Sequence, residues 1–252
     1  MSLCYHQTFS VFNALSDGVR VMKNEFQFFG VLVVLYALLA SLPYILFYQN
    51  VDLSDPAEVL EFIQNGDVPF VAIYAFYYIL YAIFIIITLD KTHASFHDIS
   101  FSEYPYISRA IKAVIPVIGL YILSMILTVL GLLLLIIPGI IVMLTLYLSI
   151  PAKLAENIGI LAALDRSKDL TKGNRWAILG TVLVPVIPMV VVSLLLMTIL
   201  LGDLQATGDV SPLFQFLNAL VSSLFAVYFV VVMGVIYQQI VAERKFMADE
   251  SY

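Results

Sequence analysis

Four tyrosines, Tyr74, Tyr77, Tyr78 and Tyr81, stand at i, i+3, i+4 and i+7 in a stretch that carries no charge. On a helix this spacing sets their hydroxyls along one face, and Phe70 and Phe84 extend the stripe. Such a stripe has two chemical uses. It packs against neighbouring helices with each hydroxyl bonded to a neighbour, or it lines a cavity for an amphiphile such as a lipid. Tyr81 falls near the middle of the apolar run, away from the interfacial belt where tyrosine usually sits.

A second cluster is basic. Within residues 158–175, Arg166, Lys168, Lys172 and Arg175 fill one arc of a helical wheel, together with Asp165 and Asp169. Ile160, Ala163, Leu164, Ser167, Leu170 and Thr171 fill the other arc. A helix built this way lies in the membrane interface, where its cations meet anionic headgroups. The two aspartates offset part of that attraction. Glu156, just upstream, is placed to pair with one of the arginines and fix the angle at which the helix leaves the membrane.

Other candidates are weaker. His93 and His97 have i,i+4 spacing, but two imidazoles are too few ligands for a divalent metal, and the segment reads as a short solvated loop. Pro185 and Pro188 sit inside an apolar run as VPVIP, which predicts a bent helix: a static kink, a hinge, or a cavity lined by freed carbonyls. Asn218, Ser222 and Ser223 could supply polar partners opposite that kink. There is no P-loop, no zinc motif and no serine–histidine arrangement. The expectation is a protein that is not an enzyme and uses no cofactor or metal. Cys4 is the only cysteine, which excludes an internal disulfide and reads as an inert thiol. The first 25 residues lack an apolar signal core, so no cleaved leader is expected.

The elements that must position these groups are set by composition. Of 252 residues, 62% are hydrophobic and only 12% charged, with mean hydropathy +1.00. Soluble domains average about 25% charged residues, so this is the composition of a membrane protein. The net charge of −6 argues against a nucleic-acid partner. Charge-free runs cover 26–51, 68–89, 113–152, 176–202 and 210–242. A crossing needs about 20 apolar residues, so the run 113–152 must cross twice. The predicted fold is all-α, with six transmembrane helices near 26–48, 68–90, 113–134, 138–155, 176–201 and 213–240. No Asp, Glu, Lys, Arg or His falls in a span core, which disfavours a proton-coupled pump.

Orientation follows from the cations. All 12 lysines and arginines fall on one side of this arrangement. Asp52, Asp55, Glu58, Glu61, Asp67, Asp203 and Asp209 fall on the other. Basic loops stay cytoplasmic, so both termini are expected there. The turn between the third and fourth spans, LLLLIIPG, carries no charge. Pro138 suits a first helical turn there and Gly139 permits close packing; a re-entrant hairpin would give the same topology.

Amphipathic segments precede the first, third and fifth spans. Val11, Leu15, Val19 and Met22 share a face in the first, while Asp17, Arg20 and Lys23 point elsewhere; Tyr104, Ile107, Ile111 and Val114 recur in the second, with Pro105 placed to start the helix. The 158–175 helix is the third. One amphipathic helix plus two spans, three times over, reads as a single membrane domain, 1–252, with pseudo-repeats 1–98, 99–156 and 157–252.

Pro138-Gly139-Ile140, Pro151, Glu156, Leu164-Asp165-Arg166-Ser167 and Leu170-Thr171-Lys172-Gly173-Asn174-Arg175-Trp176 carry a resemblance to a known family. The chain resembles the YciC-like proteins of bacterial inner membranes, a group related to the membrane domain of some glycerophosphodiester phosphodiesterases. The resemblance implies a multi-pass inner-membrane protein and supplies no catalytic residues. Two functions remain: a non-enzymatic organiser of lipids or envelope partners, or a facilitator or carrier of a small amphiphile along the tyrosine face.

Overall fold

The computed structural model describes residues 9–43, 68–97, 99, 106–207 and 212–249, and all its regular structure is helical. The helices are α1 (Val11–Asn24), α2 (Phe26–Pro43), α3 (Val68–Phe96), α4 (Tyr106–Leu134), α5 (Ile136–Leu146), α6 (Ser149–Glu156), α7 (Ile160–Thr171), α8 (Arg175–Thr207) and α9 (Pro212–Asp249). Five spans are long and apolar enough to cross a membrane, counting α5 and α6 together. The bent pair α1–α2 makes a sixth when it is counted as one span. The chain is an all-α polytopic membrane protein.

Helix α1 starts at Ser10, whose extended backbone (φ −145°) and side chain cap the helix by accepting from Asn13 N at 3.1 Å. It meets α2 at Glu25 with a bend of 92°, as an interfacial helix leading into a span requires. The face packed on the bundle is not the shared apolar one. Ala14, Asp17, Gly18 and Val21 are buried, whereas Val19 and Phe12 are exposed. The apolar strip lies beside the docked face, and Asp17, which has a partner inside the bundle, takes the core position.

Helix α9 forms the centre of the bundle. Val227, Val231, Val235, Ile236 and Ile240 have no exposed surface, and α1, α2, α3 and α8 all pack on it. On α3, the buried hydroxyls of Thr88, Thr92 and Ser95 bond carbonyls four residues back in their own helix, which satisfies them without a partner helix. α8 lies at the edge, with Leu183, Ile187, Leu194 and Ile199 exposed. It runs unbroken through Pro185 and Pro188. Ser223, expected to reach toward those prolines, bonds Ala219 O in its own helix instead.

Three boundaries depart from the predicted ones. The amphipathic stretch before the third span is no separate helix: from Tyr106 onward it forms the first turns of α4, which continues through Pro116 to Leu134. Ile107 and Ile111 are exposed on it; Tyr104 and Pro105 lie outside the described residues. The fourth span is interrupted at Tyr147–Leu148, between α5 and α6. Pro151 explains the place, since a proline lacks the N–H that would bond the carbonyl four residues earlier, that of Tyr147, and its ring crowds it. The segment 91–96, read as loop, is the last turns of α3.

The uncharged hairpin closes as its glycine predicts. A Cβ built on Gly139 would lie 2.4 Å from Leu132 Cδ2 and 2.7 Å from Leu132 N. Only glycine lets α5 lie this close to the backbone of α4. The tip, Leu133 to Ile137, is exposed apolar surface, which suits hydrocarbon or the interface rather than water.

Candidate functional site

The helix ends meet in a polar layer. Lys91 Nζ, at the end of α3, lies 2.8 Å from Glu25 Oε1, at the start of α2. Asp90 accepts from Arg109 Nε and Nη2 at 3.2 and 3.3 Å, and the same Nη2 donates to Leu154 O at 3.0 Å. Arg109 therefore joins α3, the start of α4 and the end of α6. Asp17 is fully buried, accepting from Gln239 Nε2 at 2.9 Å and pairing with Arg20 at 3.1 Å. These charges lie low in the bundle and would be costly without partners.

Glu156, on the last turn of α6, lies 2.7 and 3.0 Å from Arg166 Nε and accepts from Tyr237 Oη at 2.9 Å. Arg166 is thus the arginine that Glu156 engages. Asn157 follows at φ 51°, a left-handed cap that turns the chain toward α7. Gly173, at φ 92°, makes the equivalent turn after α7, and Asn174 O accepts from Ile178 N to begin α8. Of the residues that carried the family resemblance, Glu156 directly precedes the first of these turns, and Gly173 and Asn174 form the second.

Helix α7 buries Ala163, Ser167, Leu170 and Thr171, all on its predicted apolar arc. That arc meets protein: Ser167 Oγ donates to Thr145 O at 2.7 Å and accepts from Leu148 N at 3.1 Å. One hydroxyl thereby satisfies both sides of the α5–α6 break. Arg244, near the end of α9, donates to the Asp169 and Leu170 carbonyls and holds the C-terminal turn of α7. Lys168 and Lys172 are exposed and have no ion-pair partner among the described residues. Arg175 has its Nε buried with no hydrogen-bond partner there. It lines a cavity of ≈ 190 Å³ with exposed Trp176 and Ile137, Ile141 and Leu144.

The tyrosine stripe divides. Tyr77 Oη lies 3.1 Å from Tyr36 Oη on α2, and the Tyr36 ring stacks on Phe84 at 4.6 Å and sits 5.6 Å from Tyr81. That half is helix packing. Tyr81 also borders, with Tyr78 and with Tyr121 of α4, a groove of ≈ 320 Å³ lined further by Ile85, Ile122 and Met125. The side chains of Tyr74 and Phe70 lie outside the described residues.

His93 and His97 have ring centroids 4.4 Å apart, and His93 Nδ1 lies 2.6 Å from Gln238 Nε2. Among the described residues no three His, Cys, Asp or Glu are grouped as a metal site.

Several of these residues escaped the sequence reading. Asp17 and Gln239 are 222 positions apart, and Ser167 looked like one small residue on an apolar arc. Tyr36 and Tyr121 belong to other spans than the stripe, and only the tertiary fold brings them to it. Comparison with protein-family models, curated proteins and solved structures finds no match for this chain.

Proposed function

We propose that the chain is a non-enzymatic protein of the bacterial inner membrane, with both termini in the cytoplasm, that organises anionic lipid or envelope partners through the outer face of α7. The observation that carries this reading is that α7 docks by its apolar arc and leaves Lys168 and Lys172 exposed and unpaired among the described residues. Each cation near an anionic leaflet contributes about 1 kcal/mol, weakened by salt. Exposed Asp165 and Asp169 reduce the sum. The one-sided cations and the resemblance to YciC-like proteins support the membrane and the orientation.

The test is lipid co-purification. The double substitution Lys168→Gln, Lys172→Gln is expected to lower bound anionic lipid while the protein elutes and unfolds as before. Full retention of that lipid would remove α7 as the contact. A second reading, a facilitator or carrier for a small amphiphile, is favoured by the ≈ 320 Å³ groove beside Tyr78, Tyr81 and Tyr121. The filled centre around α9 argues against a path through the middle of the bundle, so such a molecule would travel along the side of the protein.

A further inference from the structure

A second cavity lies between the start of α4 and the end of α6. It encloses ≈ 250 Å³ and is lined by Arg109, Lys112 and Lys153, with Asn157 at its rim and Ala113 and Pro116 in its wall. Among the described residues no carboxylate lines it. Asp90 pairs with Arg109, and neither Lys112 nor Lys153 has an ion-pair partner among the described residues. Among the described residues Lys112 and Lys153 therefore make the cavity cationic. The α6 C-terminal carbonyl nearest Arg109, Leu154 O, is already occupied by its guanidinium, which covers part of the negative end of that helix.

The tyrosine-lined groove begins one helical turn away along both walls. Val117, four residues after Ala113 on α4, lines the groove, and so does Ile150, four residues before Leu154 on α6. Residues four apart share a helix face and lie about 6 Å apart. A cationic pocket thus passes into an apolar slot, and both walls run from the charged ends of their helices into the apolar runs.

We propose that this composite site binds a phosphate-bearing amphiphile: Arg109, Lys112 and Lys153 take the phosphate, and the groove beside Tyr81 and Tyr121 takes an acyl chain. Ammonium and guanidinium groups are the usual phosphate donors. The groove supplies apolar walls and the tyrosine rings that suit a chain near the interface. The proposal rests on the membrane reading above but makes no use of α7, and its variants separate the two.

The experiment titrates phosphatidylglycerol into the full chain, held in a neutral detergent, and follows thermal unfolding. Phosphatidylglycerol is expected to raise the midpoint, and Lys112→Gln with Lys153→Gln to weaken its apparent affinity roughly thirtyfold, as two near-surface cations act together. Lys112→Arg with Lys153→Arg keeps the affinity, and in a Lys168→Gln, Lys172→Gln background, which removes the α7 contribution, the loss caused by the Lys112 and Lys153 substitutions is expected to persist. Ala82→Phe, which narrows the groove, weakens the lipid alone. Inorganic phosphate at matched ionic strength identifies the source. If phosphate protects as strongly as the lipid and loses that effect in the Lys112, Lys153 variant, the pocket takes a free phosphate and the acyl-chain assignment falls. Native lipid affinity in the Lys112, Lys153 variant overturns the site. Should the double variant fail to fold, Lys112→Gln and Lys153→Gln taken singly decide the matter by the same readout.

Discussion

Ser167 shows how much one hydroxyl can decide. A proline four residues past Tyr147 forces a gap in the fourth span, and a gap at that depth strands a donor and an acceptor. Ser167 reaches both from α7, donating a hydrogen bond to Thr145 O and accepting one from Leu148 N. Ser167→Ala leaves those two groups unpaired in a buried place, so a loss of about 2 kcal/mol is expected. Ser167→Thr keeps the hydroxyl and is expected to lose less if its methyl fits. Unfolding midpoints of the three proteins check this; equal stability for Ser167→Ala would show that the break satisfies itself. None of this was legible beforehand, because a serine on an apolar arc is indistinguishable in sequence from any small residue. Asp17 misled for the opposite reason. A carboxylate is assigned to the wet face unless its partner is known, and Gln239 is at the far end of the chain.

At the scale of elements, the hairpin α4–α5 was legible and the α5–α6 break was not. A run of forty apolar residues cannot cross once, and Pro138-Gly139 marks the turn, so length and local chemistry sufficed. Pro151 sat too near the expected end of its span to announce an interruption. The extension of α3 past residue 90 was also hidden, since Asp90 and Lys91 look like a wet end until Arg109 and Glu25 are brought beside them. The hairpin gives a clear test. Gly139→Ala places a methyl 2.7 Å from the Leu132 amide nitrogen, a contact relieved only by parting the two helices. A loss of about 1–3 kcal/mol is expected, in the range for overpacking. Gly30→Ala is the control, since a Cβ there meets nothing within 4 Å, and replacing a helical glycine is worth up to about 1 kcal/mol in stability. If both substitutions shift the unfolding midpoint alike, close approach at Gly139 is not what the glycine provides.

For the whole molecule, the polar layer and the charge pattern are independent arguments that agree. The sequence puts every lysine and arginine on one side of six crossings. The structure ties the start of α2, the end of α3, the start of α4 and the end of α6 together through Glu25–Lys91, Asp90–Arg109 and Arg109–Leu154 O. Glu156 bonds both Arg166 and Tyr237, and Arg244 bonds the last turn of α7. Together these bring the end of α6, α7 and the end of α9 to the same layer. Six helical crossings whose odd starts and even ends share one layer must place residues near Glu25, Lys168 and Lys245 on a common side. Which side faces the cytoplasm is a matter of charge during insertion, and the positive residues predict that it is this one. In a Cys4→Ser background, Lys168→Cys and Lys245→Cys are expected to resist an impermeant thiol reagent in intact cells and to react after permeabilisation. Glu58→Cys is expected to react from outside. If Lys168→Cys and Lys245→Cys react together from outside, the orientation is inverted while the layer stands. If one reacts and the other does not, an odd number of crossings separates them and the six-crossing fold is wrong.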